Sequence, residues 1–122
     1  MIKKSRIRQR MRVKTRIMKK IRGTPERPRL TVYRSLHHVH AQIIDDASAK
    51  TIVAVSSLSK DVKDQLKSVK GQKEIGKRVG LALAKKAISQ NLKRVVFDRN
   101  GYLYHGVVKS VADGAREGGL EL

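Results

Sequence analysis

Thirteen of the chain's 29 lysines and arginines fall within residues 1–29, and only one acid, Glu26, accompanies them. A guanidinium forks onto two oxygens of one phosphate, and an ammonium meets a phosphate as a point charge. The segment therefore carries chemistry for gripping a polyanion, not for transforming a small molecule. Its arginines Arg6, Arg8, Arg10, Arg12, Arg16 and Arg22 are candidates for forked phosphate contacts, and Lys3, Lys4, Lys14, Lys19 and Lys20 for the simpler kind. The segment bears about +12 of the chain's formal net charge of +19. Like charges crowded this way serve no folded core, so nucleic acid is the first partner to expect and an anionic membrane surface the second. If six phosphates are neutralised, log affinity falls against log salt with a slope of about −5 on duplex-like RNA.

A second group of residues stands where the segment meets the rest of the chain. Arg27, Arg29, Arg34, Ser35 and His38 could read the shape of a wide minor groove through sugar and phosphate. Farther on, Arg99, Tyr102, Tyr104 and His105 could stack on RNA or hydrogen-bond to it, although Tyr104 could equally close the core over the last helix. His37-His38-x-His40 has the residue type of a metal site, but no cysteine occurs in the chain and no acid within that run, so the ligand set is incomplete. Asp45, Asp46 and Asp98 could hold Mg²⁺ for phosphodiester cleavage. Asp45-Asp46 also reads as a plain turn, and three acids on so basic a chain are weak support for a nuclease. Neither a phosphate-cradling glycine loop nor a nucleophile elbow occurs. The expectation is a binding protein with no catalytic residues, no metal and no cofactor.

These side chains must be positioned by elements that the sequence spaces out in turn. Over residues 5–22, Val13, Ile17 and Ile21 recur at helical spacing, with Ile7, Met11 and Met18 on a neighbouring stripe, which predicts an amphipathic helix. Arg8, Arg12, Arg16 and Lys20 also stand four apart, and each such pair costs about 0.2–0.5 kcal/mol in an isolated helix. The arm is expected to fray alone and to order against phosphates. Gly23 to Pro28 then breaks the helix with two prolines.

From Arg29 the period changes to two. Leu30, Val32, Val39, Ala41 and Ile43 form one apolar face, and Thr31, Tyr33, His40 and Gln42 a polar one. With a third strand over 51–56, short turns predict an antiparallel meander with one face left available. Ser59 is expected to cap a short helix through Val62, Leu66 and Val69 to Gly71. Residues 72–90 carry the strongest helical stripe, in which Gly76 and Gly80 suggest close approach to the sheet. Val95-Val96-Phe97 reads as a buried strand paired in parallel after a helical crossover. Asn100-Gly101 invites a hairpin, but Val108, Val111, Ala112 and Ala115 keep helical spacing beyond it, so residues 98–106 are expected to be a loop before a final helix.

Length and composition bound the rest. With 122 residues the prior is one domain: an RNA-binding arm and linker over 1–28, then a single α/β domain over 29–122. No apolar run approaches the length of a spanning helix, and neither a membrane nor a small-molecule substrate is expected as a partner. The Arg-rich, acid-free start resembles a mitochondrial presequence, yet it is poor in serine. A solvated charge run or localisation signal would have no use for its Ile, Val and Met residues. Four aromatic residues are too few for a stacking platform.

Gly23 to Ser35 (GTPERPRLTVYRS), Ala41 to Asp46 (AQIIDD), Val95 to Gly106 (VVFDRNGYLYHG) and Ala112 to Leu120 (ADGAREGGL) resemble the bacterial large-subunit ribosomal protein eighteen family, in order and across essentially the whole chain. The resemblance implies a protein that binds 5S rRNA and helps attach it to 23S rRNA in the central protuberance, beside neighbouring ribosomal proteins. It also implies a reduced ribonuclease-H-like α/β fold and a place in the cytoplasm, within the ribosome. His40 and Val107 depart from the family's pattern, where an aromatic and a basic residue are frequent.

Overall fold

A computed structural model describes residues 2–35, 38–63, 66, 71–102 and 104–122, without the side chains of residues 2–6, 18–20 and 61. The elements run α1 (Ile2–Lys20), β1 (Arg29–Arg34), β2 (Val39–Asp45), β3 (Lys50–Ser56), α2 (Lys60–Lys63), α3 (Gln72–Ser89), β4 (Val96–Asp98) and α4 (Val107–Glu117). Leu36 and His37, in the short turn expected between the first two strands, and Val69, in the short helix, lie outside the described residues.

Alternation of side chains decides the sheet. Leu30, Val32, Val39, Ala41 and Ile43 are all 0–1% exposed, and Val53 and Val55 of β3 join them on the inner face. The sheet order is β3-β2-β1-β4, with β1 antiparallel to β2 and β2 to β3. After the crossover through α2 and α3, β4 pairs in parallel with β1, Leu30 opposite Phe97 and Thr31 opposite Asp98. Helices α3 and α4 cover the inner face with Val79, Leu83, Ala87, Val108, Val111 and Ala115. The architecture is the expected one: a three-stranded meander, a parallel fourth strand, and helices packed on one face.

The glycines of α3 depart from expectation. A Cβ on Gly80 would run into the Val111 carbonyl oxygen of α4, and one on Gly76 would come within 3.0 Å of the Val107 carbonyl. Reciprocally, a Cβ on Gly114 would strike the Lys77 carbonyl. The close approach is therefore helix to helix, not helix to sheet, because small residues face each other across the α3–α4 crossing. Both helices stop in the same way. Asn91 (φ 64°) and Gly119 (φ 107°) take left-handed backbone. The next amides then reach back, Leu92 N–H to the Ala87 carbonyl and Leu120 N–H to that of Ala115. Ser59 precedes α2, but its hydroxyl accepts from Ser56 N–H at 3.0 Å; only its carbonyl receives helix amides.

Between β4 and α4, Asn100 and Gly101 both have positive φ, 53° and 79°, as in two-residue hairpin turns. The chain nevertheless enters α4, so the turn serves a different purpose. A Cβ on Gly101 would lie 2.5 Å from the Arg10 carbonyl oxygen, so only glycine lets α1 settle against this loop. Helix α1 is seated by one of its two apolar stripes. Ile17 is buried and Val13 and Ile21 half-buried, whereas Ile7 and Met11 are 59% and 53% exposed.

Candidate nucleic-acid interface

The root of the basic segment is fixed by one buried arginine. Arg29, first residue of β1, donates from Nη1 to Asp98 Oδ2 at 2.6 Å, and from Nε and Nη2 to the two oxygens of Asp46 at 3.0 and 3.2 Å. Gly23 N–H adds a bond to Asp46 Oδ2 at 2.6 Å, tying the end of the segment to the same carboxylate. Asp98 is fully buried, and its other oxygen accepts from Asn100 N–H, whose amide nitrogen donates to the Val32 carbonyl. Arg29 was expected to touch RNA. It is 9% exposed and engages two carboxylates. The hydrogen bond from Arg29 holds the Asp46 carboxyl below its ordinary range, against the opposing effect of burial, with help from Gly23 N–H and the charge of Arg22. Burial pulls the other way on Arg29 too, but the bonds to Asp46 and Asp98 outweigh it and raise its affinity for its proton. The carboxylates considered for Mg²⁺ are thus engaged by a cation, and Asp45 accepts from Ala47 N–H and Ser48 Oγ within its own turn.

Two surfaces remain for a polyanion. Arg8, Arg12 and Arg16 form an exposed row along α1, and none has a carboxylate partner among the described residues. Lys3, Lys4, Arg6, Lys19 and Lys20 share that helix, though their side chains lie outside the described set. Lys14 turns the other way and, with Arg29, lines a cleft of about 290 Å³ on the polar sheet face beside Thr31, Tyr33, His40 and Gln42. Tyr33 and His40 are neighbours across the strands, ring centroids 5.9 Å apart. These four sheet residues were not singled out as contacts from sequence, although the period-two pattern places them together on the available face.

The remaining candidates divide. Arg22 and Arg27 are exposed on the linker. Ser35 and His38 close the β1–β2 turn, Ser35 N–H donating to the His38 carbonyl and Ser35 Oγ accepting from His38 N–H; His38 Nδ1 also lies 3.1 Å from Ser57 Oγ. Arg99 Nη1 donates to the Tyr102 carbonyl at 3.0 Å. Tyr102 itself carries the guanidiniums of Arg10 and Arg34 over its ring, at 4.5 and 5.7 Å from the centroid. A ring so occupied is a poor base-stacking platform. Tyr104 meets Phe97 edge-on at 5.6 Å and accepts from Arg116 Nη1, while His105 is exposed. On the body, Arg78, Lys77, Arg94 and Arg116 pair with Glu74, Glu117, Glu121 and Asp113. Those carboxylates are engaged on the body, whereas the arginine row of α1 meets none among the described residues.

Comparison with known proteins bears on what such a surface meets. Residues 3–122 match the family described as Ribosomal L18 of archaea, bacteria, mitochondria and chloroplast. The chain belongs to the ribosomal L18 family. It is 59% identical over 106 residues to the large ribosomal subunit protein uL18 of Dictyoglomus turgidum, covering 87% of this chain and 86% of that one. It is 52% identical to uL18 of Thermotoga petrophila over 122 residues, 99% of each chain. It is 57% identical to uL18 of Bdellovibrio bacteriovorus over 111 residues, 91% and 86% of the two. An L18-family protein is a structural component of the ribosome and not an enzyme. Among the described residues no helix is long and apolar enough to cross a membrane.

Proposed function

We propose that this chain binds 5S rRNA and helps attach it to 23S rRNA in the central protuberance of the large ribosomal subunit, in contact with neighbouring ribosomal proteins. The observation that carries the reading is the pairing of an unneutralised cation row on α1 with a polar sheet face whose cleft Lys14 helps to line. Phosphates of a duplex-like RNA complement the row, and the sheet face offers hydroxyl, imidazole and amide groups to sugars and groove edges. Residues 1–28 serve as the RNA-binding arm and linker, and residues 29–122 as the domain that aims it. Membership of the ribosomal L18 family supports the choice of RNA over other polyanions.

The test is competition at physiological salt between 5S rRNA, unrelated structured RNA and duplex DNA for the full chain. Preferential retention of 5S rRNA is expected; equal affinity for all three would reduce the protein to a generic basic module. Removing residues 1–22 should leave a folded body that binds more weakly and with a shallower salt dependence. Unchanged affinity would contradict the arm's role.

A further inference from the structure

We infer that Tyr102 is a positioning residue that assembles Arg10 and Arg34 into a site for one backbone phosphate of RNA, an inference that rests on the RNA-binding function proposed above. The two arginines come from different elements, α1 and the end of β1, and converge on one ring. That ring is held at both ends. Arg34 N–H donates to the Tyr102 hydroxyl at 3.4 Å, and the hydroxyl donates to the Arg34 carbonyl at 3.3 Å. Tyr102 N–H donates to the Arg99 carbonyl at 3.0 Å, and the Tyr102 carbonyl accepts from Arg99 Nη1. Arg10 is held in turn by the contact of its main chain with Gly101.

Arg10, Arg34 and Tyr102 line a cavity of about 400 Å³ together with Ser35 and Gln72, and no acid lines it among the described residues. Neither guanidinium has a carboxylate partner among the described residues, and Arg10 Nε is enclosed without a hydrogen-bond acceptor. The contrast is with Arg29, Arg78, Arg94 and Arg116, each of which faces a carboxylate. Two cations drawn to one aromatic ring repel each other, and the cation–π attraction of each is modest. An anion between them turns that repulsion into two attractions. A phosphodiester fits the donor set: two unesterified oxygens, one negative charge, and neutral donors nearby in Ser35 and Gln72. Holding both forks in place beforehand removes the entropy cost of ordering two long side chains on contact.

The experiment measures affinity of the full chain for 5S rRNA across a salt series. Arg10→Gln and Arg34→Gln should each flatten the log–log salt slope by about 0.9, the value for one phosphate. Because both forks are needed to hold that one phosphate, the double variant should flatten it no further. Tyr102→Leu changes no charge, yet it should flatten the slope by the same amount and weaken binding about ten- to hundredfold, the range for losing hydrogen bonds to a charged group. Tyr102→Phe, which keeps the ring, should retain the wild-type slope. A Tyr102→Leu slope equal to wild type would overturn the inference. So would a flattening of about two units in the double arginine variant, which means separate contacts. Should Tyr102→Leu fail to fold, the two arginine variants still decide, since neither side chain belongs to the apolar core. Loss of preference for 5S rRNA in the wild-type chain would instead defeat the proposed function, because the slopes can be read on any duplex-like RNA.

Discussion

Arg29 looks like one more member of a basic segment and behaves as its opposite. Replacing it with methionine would strand Asp98, which is fully buried and would have no cation to answer it. Breaking a buried pair from one side costs about 3–5 kcal/mol, and Arg29→Met should lower the urea midpoint accordingly. Asp46 supplies a separate pH signature. Its carboxyl titrates below the ordinary 3.8 in the folded chain, so its contribution to stability is complete above that value and is lost as pH falls through the folded value. Urea melts of the wild type should weaken between pH 5 and pH 3, and Asp46→Asn should remove part of that dependence; an identical profile in the variant would detach Asp46 from it. Sequence spacing could not have found this cluster, because Asp46 and Asp98 lie 17 and 69 residues from Arg29. Asp98 meets it through the parallel register that sets Thr31 beside Asp98, and Asp46 through the antiparallel register that sets Arg29 beside Ile44.

Among the elements, the two packed helices depend on space that is left empty. A single methyl group at Gly80 would meet the main chain of α4, which cannot rotate away as a side chain can. Gly80→Ala should therefore destabilise the fold by about 1–3 kcal/mol through overpacking, although alanine favours an isolated helix by about 1 kcal/mol. Lys73→Ala, exposed on the same helix, should change the melting temperature little. A stable Gly80→Ala variant would show that α3 and α4 can separate freely. Helices α1, α3 and α4 were legible from their periodicity, as were the strands and the two faces of the meander, because burial acts on every second or every third to fourth residue; the helix expected up to Gly71 is described as α-helix only over Lys60–Lys63. The partner of the α3 glycines was not legible, since a small residue marks proximity without saying to what. The seating of α1 was half legible: the Val13–Ile17–Ile21 stripe packs on the body, while Ile7 and Met11 stay open, and sequence alone ranks neither stripe above the other.

For the molecule as a whole, segregated charge sets opposite responses to salt. The body pairs its acids with local cations, and each such exposed pair contributes little. The remaining positive charge repels itself in the free chain. Raising NaCl from about 0.05 to 0.5 M shortens the screening length and should raise the melting temperature of the free protein. The same change should release RNA, with a slope of about −5 if six phosphates are held. Melting curves and binding isotherms over one salt series check both signs together. A free protein that loses stability with salt would mean that attractive pairs, not repulsion, dominate its surface.

The anchorage of α1 has a consequence for how the chain is made. Helix α1 is synthesised well before the loop that receives it, Asn100 to Tyr102, and before the carboxylate that neutralises Arg29, Asp98. For most of its translation, the most strongly cationic stretch has nothing of its own to rest on. A released fragment ending before Asn100 should therefore offer that stretch to added protease, and the full chain should protect it.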